Sequence, residues 1–243
     1  MHALEMVGVD VVSLRHPETV VLHDVNWLVR EGEYWAVGGL LATGKSDLLA
    51  TVAGLMPVGQ GTYRIYEKEI AAGYEEDLIK ARLKVGLVFE GGRLLNHLTI
   101  LENVALPLQY HENLGFVECR DRAASLLEMV GLGDYTGRMP GTINRRLQQR
   151  AGLARALALR PKVLLLDNPL SGLDPREALW WLNFLDQLSA DGTTLVLAAD
   201  DFRGLQGRAH QFAVLKERRF IPVGSRDELA RHSEPLLREL LHD

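Results

Sequence analysis

The sequence is poor in several features that would point to particular classes of protein. Its 243 residues include one cysteine, Cys119, so no disulfide can form within the chain and a reducing compartment suits it. No apolar run approaches the ~20 residues of a membrane-spanning helix, and the opening MHALEMVGVD lacks the basic and apolar regions of a signal peptide. The formal charge of −5 gives no basic excess, so we expect no nucleic-acid partner.

What the chain does contain is an alternation of strand and helix patterns. Apolar residues make up 47% of it and charged residues 24%, the balance of a soluble globular protein with a sizeable core. The residues around Trp27 alternate between apolar and polar, while Lys84–Glu90 and Lys162–Asp167 are typical of strands buried on both faces. Residues 99–159, between those two strands, are mostly helical in pattern. The order predicts an α/β fold with a mostly parallel sheet and an inserted helical region.

The segment GLLATGKS, Gly39 to Ser46, matches the phosphate-loop pattern and lies between a predicted strand and a predicted helix. In such a loop, backbone N–H groups and a helix N-terminus surround phosphates, Lys45 reaches the β- and γ-phosphates, and the Ser46 hydroxyl can bind Mg²⁺. A chance glycine turn is the alternative, and the lysine, the serine and the flanking elements together argue against it. The predicted phosphate-binding residues are Gly39, Leu40, Leu41, Ala42, Thr43, Gly44, Lys45 and Ser46.

Asp167 ends the apolar run LLLD far downstream of this loop. Many buried strands end in an aspartate, so the residue alone is a weak signal. Together with a phosphate loop it indicates a carboxylate that holds Mg²⁺ through water.

Further stretches follow in a fixed order: GLVFE (Gly86–Glu90), LTILENVALPL (Leu98–Leu108) and QQRAGLARALALRPKVLLLDNPLSGLDP (Gln148–Pro175). With the phosphate loop they resemble the nucleotide-binding subunit of ATP-binding-cassette transporters over nearly the whole chain. The resemblance implies a P-loop NTPase fold with a RecA-like core, an antiparallel N-terminal β subdomain and an inserted α-helical subdomain. In a single domain of residues 1–243, residues 1–90 and 160–243 would form the core and about 91–159 the helical subdomain.

The same resemblance implies ligands and partners. ATP and Mg²⁺ would bind in a dimer in which each site combines one subunit's phosphate loop with the other's signature segment. The second ATPase subunit would be a copy of this chain or a homologue. Transmembrane permease subunits would hold the pair at the cytoplasmic face of the inner membrane. An intact SGLDP segment supplies the implied dimer contact, namely Ser171, Gly172, Leu173 and Asp174.

Two positions at which the family places catalytic groups differ in this chain. Asn168 replaces the catalytic glutamate, and an amide cannot act as a base at neutral pH; loss of a general base costs ~10²–10⁴ in rate. Asp200 replaces the switch histidine, and its carboxylate would repel the γ-phosphate. An alternative is that Asp200 or its neighbour Asp201 substitutes for the missing base, which requires suitable geometry.

The signature segment, usually LSGGQ, is INRRL here, Ile143 to Leu147. Glycines in that segment allow the backbone to approach the γ-phosphate, and Arg145 and Arg146 remove this access. Asn144 can still cap the following helix. The two arginines either bind phosphate through their side chains or form a solvated or interface charge pair, and we favour the second interpretation.

Other nucleotide contacts are altered as well. Glu90 stands where a Mg²⁺-binding glutamine is usual and adds negative charge beside the triphosphate, although it can still bind the metal. Ala42 replaces a glycine of the phosphate loop, Asp47 replaces a second hydroxyl, and His16 takes the place of the aromatic residue that stacks on adenine. Together these changes predict a subunit that binds Mg-ATP and hydrolyses it slowly or not at all.

The segment Phe89–His111 resembles ATPases of Mla/MCE-type lipid transporters, as does the ending PLLRELLHD. We therefore predict a lipid-transport ATPase subunit whose permease contact involves the Leu94–Ile100 region, with Leu94, Leu95, Leu98 and Ile100 lining a groove. Ordinary subdomain core is the alternative for these four. Two alternative functions stay open: a nucleotide-independent pseudo-ATPase that scaffolds or regulates a permease complex, and a soluble ATPase of this type unrelated to transport.

Overall fold

The structure is a computed structural model that describes residues 1–70 and 76–241, so the last two residues of PLLRELLHD lie outside it. The strands are β1 (His2–Val12), β2 (Val20–Arg30), β3 (Tyr34–Gly38), β4 (Thr62–Ile65), β5 (Lys68–Glu69), β6 (Val85–Val88), β7 (Val163–Asp167), β8 (Thr194–Ala199), β9 (Gln211–Lys216) and β10 (Arg219–Ser225). The helices are α1 (Lys45–Val52), α2 (Glu76–Arg82), α3 (Ile100–His111), α4 (Phe116–Met129), α5 (Arg145–Leu157), α6 (Pro175–Ala190), α7 (Arg226–Leu229) and α8 (Leu236–Leu241).

Within the described ranges the strands form one sheet in the order β5-β4-β1-β2-β10-β9-β3-β8-β7-β6. Strands β9, β3, β8, β7 and β6 each run parallel to their neighbours in that series. The N-terminal strands β1, β2, β4 and β5 pair antiparallel, and this part joins the rest where β2 runs parallel to β10. The predicted α/β P-loop fold, with its antiparallel N-terminal strands, is confirmed.

The apolar core has two parts because successive side chains of a strand point to opposite faces of the sheet. In β7, Val163 and Leu165 pack in the cluster that includes α1, while Leu164 and Leu166 pack in the cluster that includes α3, α4, α5 and α6. Every residue of β7 is buried, as predicted. The sheet thus holds the phosphate loop and α1 on one side and the inserted helices on the other.

The inserted helices form a packed unit between β6 and β7. A capping box starts α3, in which the Thr99 side chain accepts from the Glu102 N–H and the Glu102 carboxylate accepts from the Thr99 N–H. Helix α5 lies close against the turn after β6: a Cβ at Gly152 would be 2.7 Å from the Cα of Gly92. This contact places the middle of α5 against the turn that follows Glu90.

Some elements differ from the predictions. Strand β6 is the edge of the sheet, so Val85 and Leu87 are only half buried although the pattern predicted burial on both faces. Strand β10 was not predicted, because Pro222 and Gly224 interrupt its pattern and Glu217, at positive φ before it, takes the place of a typical turn glycine.

Candidate nucleotide-binding site

The phosphate loop connects β3 to α1 and folds tightly on itself. The Thr43 hydroxyl donates to the Leu40 carbonyl at 2.9 Å, and a Cβ at Gly39 would lie 2.6 Å from the Thr43 Oγ1. Ala42 and Gly44 have φ values of 62° and 96°. Ala42 therefore keeps the left-handed conformation for which glycine is usual, at a cost of roughly 1–2 kcal/mol.

Lys45 lies under this loop with its ammonium group fully engaged. The side chain is 8% exposed and its Nζ lies 3.1 Å from Asp200 Oδ1. The same Nζ donates to the carbonyl oxygens of Gly39 and Leu40, the latter at 2.8 Å. A lysine ammonium has three N–H donors, and each has an acceptor within the chain.

The two positions at which replacement of catalytic groups is predicted are in direct contact. Asn168 follows β7 and Asp200 follows the neighbouring parallel strand β8, so both lie at the same edge of the sheet. The Asn168 Nδ2 donates to Asp200 Oδ2 at 2.6 Å, and the Asn168 N–H donates to the Ala198 carbonyl at 2.9 Å. Asn168, Asp200 and Lys45 thus form one continuous chain of polar contacts.

Asp201, the alternative base, has a different surrounding. Its Oδ1 accepts from the Arg203 N–H at 2.9 Å and its Oδ2 pairs with the Arg203 guanidinium at 3.0 Å. Asp201 is thus paired with Arg203, whereas Asp200 contacts Asn168 and Lys45.

The predicted magnesium ligands meet beside Lys45. Burial raises the pKa of the Asp167 carboxyl, the hydrogen bond with the Ser46 side chain opposes this rise, and the negative charge of Glu90 adds to it. Ser46, Asp167 and Glu90 supply hard oxygen donors, and Mg²⁺ is commonly held by one or two carboxylates together with substrate phosphates. The donor set therefore fits Mg²⁺ bound together with a nucleotide. No group of three or more His, Cys, Asp or Glu side chains suited to a metal occurs in the described part of the chain.

The signature segment and the predicted dimer-contact segment share a cleft of about 440 Å³. Arg145 pairs with Glu90 at 2.6 Å, and Arg146 pairs with Asp174. Each arginine is thus neutralised by an acid of the same chain, and the pairs link the start of α5 to the core. The cleft is lined by Glu90, Arg145, Arg146, Gln149, Ser171, Gly172, Leu173 and Asp174.

Both helices at this cleft begin with a capping side chain. Asn144 accepts from the Leu147 N–H at 3.0 Å, as predicted. Asp174 accepts from the Glu177 N–H at 3.0 Å. That backbone hydrogen bond, followed by the charge of Arg146, lowers the pKa of Asp174.

Asp47 and His16 lie on the outer side of the loop. The Asp47 Oδ1 accepts from the Leu14 N–H at 2.6 Å and ties the segment after β1 to the first turn of α1. His16 lies in that tied segment, exposed, with its Nδ1 3.5 Å from Glu18. Its role toward adenine stays a prediction.

The Leu94–Ile100 region is held rigidly against α3. The Asn103 side chain donates to the carbonyls of Leu95, Leu98 and Thr99 and accepts from the Leu95 N–H at 2.7 Å. Ile100 is fully buried in the core, which agrees with the alternative that it is an ordinary subdomain core residue. Leu95, by contrast, is 39% exposed. Only part of this region is therefore available to a partner.

An apolar groove of about 690 Å³ was not predicted from the sequence. Its residues come from the end of α1, from β4, from α2 and from β6, so no single stretch of sequence signals it. The groove is lined by Ala53, Gly54, Leu55, Met56, Pro57, Val58, Tyr63, Ile70, Arg82, Leu83, Val85, Leu87 and Phe89.

A phosphate loop between a parallel strand and a helix, a buried aspartate at the end of a nearby strand and a helical insertion define an ATP-binding cassette of the P-loop NTPase class. The family model described as "ABC transporter" matches residues 22–171, which is more than half of the chain. The chain belongs to the ABC transporter family.

Relatives and solved structures agree with this assignment. The methionine import ATP-binding protein MetN of Rhizobium johnstonii is 34% identical over 221 residues, which are 90% of this chain and 61% of that protein. The macrolide export ATP-binding/permease protein MacB 1/2 of Paracoccus denitrificans is 36% identical over 202 residues, which are 83% of this chain and 30% of that protein. This chain thus spans less than two thirds of the length of either relative.

A dimeric, post-hydrolysis structure of the ATP-binding cassette MJ0796 bound to ADP and Pi matches with a TM-score of 0.80 at 29% identity, over 89% of this chain and 95% of that one. The cbiO1 structure from Clostridium perfringens matches with a TM-score of 0.78 at 23% identity, over 96% of this chain and 92% of that one, and shows the fold alone. Across residues 1–70 and 76–241, no helix has the length and apolarity to cross a membrane.

Proposed function

We propose that this chain is the ATP-binding subunit of a membrane transporter and that it binds Mg-ATP but hydrolyses it slowly or not at all. One observation carries the proposal: Asn168 and Asp200, which the family resemblance matches to the catalytic glutamate and the switch histidine, are hydrogen-bonded to each other. Among the described residues at the ends of β7 and β8, Asp167 is hydrogen-bonded with Ser46, and Asp200 contacts Asn168 and Lys45.

Asp200 is a poor substitute for the missing base. One of its carboxylate oxygens accepts from Asn168 and the other faces Lys45 at 3.1 Å. Both oxygens of the Asp200 carboxylate therefore already have partners within the chain. We therefore favour slow hydrolysis over compensation by Asp200.

Binding is supported by the parts of the site that are retained. The loop of residues 39–44 keeps its fold despite Ala42, and Ser46 and Asp167 lie together beside Lys45. These groups are the ones that hold phosphate and Mg²⁺ in a phosphate loop.

The test compares nucleotide binding and turnover in the wild-type chain and Lys45→Ala. We expect measurable Mg-ATP binding by titration calorimetry, at least tenfold weaker in Lys45→Ala because a charged hydrogen bond is lost. Turnover, followed by phosphate release, should lie ~10²–10⁴ below the 1–10³ s⁻¹ typical of enzymes. Lys80→Ala is the control, since Lys80 is an exposed lysine of α2 paired with Glu76.

Turnover at ordinary enzyme rates would overturn slow hydrolysis. If wild type and Lys45→Ala both failed to bind nucleotide, the alternative of a nucleotide-independent scaffold or regulator would hold instead.

We further propose that the chain works as a dimer, with itself or with a homologous ATPase. The dimeric cassette MJ0796 supports a dimer, and Ser171–Asp174 is the proposed contact. Paired with a fully equipped homologue, this chain's loop would meet a complete signature but lack its glutamate, while the partner's loop would meet INRRL. Both sites would be impaired, each in a different way.

The permease and the cargo belong to the same proposal. We place the chain at the cytoplasmic face of the inner membrane, where permease helices contact the apolar groove of about 690 Å³ and the exposed Leu95. A lipid cargo is supported by the sequence of Phe89–His111 alone. The relatives compared above are named for methionine import and macrolide export, so they do not favour a lipid.

A further inference from the structure

We propose that Asp200 makes this site selective for nucleoside diphosphates over triphosphates, because its carboxylate takes the place beside Lys45 that a γ-phosphate would otherwise occupy. This inference rests on the proposed binding of nucleotide at the phosphate loop. It assigns to Asp200 a role in specificity that is separate from the loss of hydrolysis.

The first step is the state of Lys45. Its three donors face the Gly39 and Leu40 carbonyls and the Asp200 carboxylate, and its side chain is 8% exposed. A γ-phosphate that binds Lys45 must therefore displace an acceptor already present. A β-phosphate is also held by backbone N–H groups of the loop, so a diphosphate depends less than a triphosphate on displacing Asp200 from Lys45.

The second step is the position of Asp200, which two groups hold in place. Besides Lys45, the Asn168 side-chain amide donates to the Asp200 carboxylate at 2.6 Å. The backbone N–H of Asn168 donates to the Ala198 carbonyl, and the φ angle of Asn168 is 49°. Asparagine tolerates this left-handed conformation better than most residues. The Asn168 amide thus holds the Asp200 carboxylate beside Lys45, where it would repel the negative charge of a γ-phosphate.

The third step is charge. A triphosphate brings one more negatively charged group to the phosphate loop than a diphosphate does, and Asp200 lies beside Lys45 in that loop. Like charges that lie close together repel appreciably even where solvent screens them in part. Bound Mg²⁺ reduces the repulsion for both nucleotides, so the difference between them persists at a fixed Mg²⁺ concentration.

The test is titration calorimetry of ADP and of the non-hydrolysable triphosphate AMP-PNP, at one Mg²⁺ concentration, with wild type, Asp200→Asn and Asp201→Asn. We expect the wild type to bind ADP more tightly than AMP-PNP. Asp200→Asn should tighten AMP-PNP binding about tenfold and change ADP binding less than threefold. Asp201→Asn, which removes one charge from the neighbouring residue paired with Arg203, should leave the ratio at its wild-type value.

Asp200→His provides a second variant should Asp200→Asn fold poorly, and it should shift the ratio in the same direction. Binding of both nucleotides with a ratio that neither variant changes would overturn this inference and leave the proposed function standing. Binding of neither nucleotide by the wild type would overturn the proposed function and this inference together.

Discussion

An amide at position 168 and a carboxylate at position 200 form a matched pair at the residue scale. The Asn168 amide is a donor and the Asp200 carboxylate an acceptor, and they meet at 2.6 Å. Two carboxylates at that separation would repel each other, and one of them would need to take up a proton. The substitutions at the two positions therefore support each other and are best considered as one change.

This pairing predicts the outcome of restoring the glutamate. Asn168→Glu alone should leave ATP turnover within about twofold of wild type, because the new carboxylate faces Asp200 and also takes on a left-handed backbone that disfavours it. Asn168→Glu combined with Asp200→His should raise turnover at least about tenfold, since a general base and a donor to phosphate are then both present. Phosphate release in single and double variants is the measurement, with Asp200→His alone as the control. A full gain from Asn168→Glu alone would contradict the pairing.

At the scale of elements, Arg150 joins α5 to α6. Its Nε and Nη2 donate to the two carboxylate oxygens of Glu177, both at 2.7 Å. Its guanidinium also lies 3.6 Å from the centre of the Trp180 ring. Planar, two-point pairing and stacking of this kind are particular to arginine. The inserted helix α5 is therefore linked to the core helix α6, which follows the proposed dimer-contact segment.

Removing that link should be costly. The side chains of Arg150 and Glu177 are 13% and 16% exposed, so Arg150→Ala leaves a nearly buried carboxylate without its partner, and we expect a loss of about 3 kcal/mol in the free energy of unfolding. Urea unfolding followed by circular dichroism measures it.

Arg122→Ala is the matched control, since its partner Glu118 is one turn away on the surface of α4 and such a pair contributes about 0.5 kcal/mol or less. Equal losses in the two variants would show that the Arg150 link does not stabilise the fold beyond an ordinary surface pair.

At the scale of the whole molecule, the groove is the proposed permease contact. Leu55, 56% exposed, lines it, and Leu179, 52% exposed, lies on α6 away from it. Leu55→Arg should reduce the amount of permease that co-purifies with the tagged chain from its native membranes by about tenfold, because a charge is then placed in an apolar contact. Leu179→Arg, which lies outside the groove, should co-purify with the wild-type amount of permease.

The same purification tests the cargo, because lipid bound to the complex can be identified by mass spectrometry. Complexes without enriched lipid would contradict the lipid-transport proposal. Retention of permease by Leu55→Arg would contradict the groove as the docking surface, and recovery of the wild-type chain without any membrane protein would favour the soluble, non-transport alternative.

Most of the core of the fold was predictable from local sequence. The run that forms β7 was predictable because four consecutive apolar residues precede Asp167, and the phosphate loop because its motif is contiguous in the sequence. Strand β10 was not predicted because Pro222 and Gly224 interrupt its strand pattern. Antiparallel pairing with β9 stabilises this strand in the fold. The apolar groove was not predicted because its lining residues come from separate helices, strands and turns.

The sequence by itself determined the class of this protein and the positions at which we propose that catalytic groups are replaced. The phosphate loop, Asp167 and the replaced positions 168 and 200 are all visible in the chain, since each is defined by residue type and by order. Only the tertiary structure decided that Asp200 lies between Asn168 and Lys45 and that the two arginines of INRRL are paired within the chain. These contacts join residues from different strands and helices, and distances across a sheet edge depend on how those elements pack.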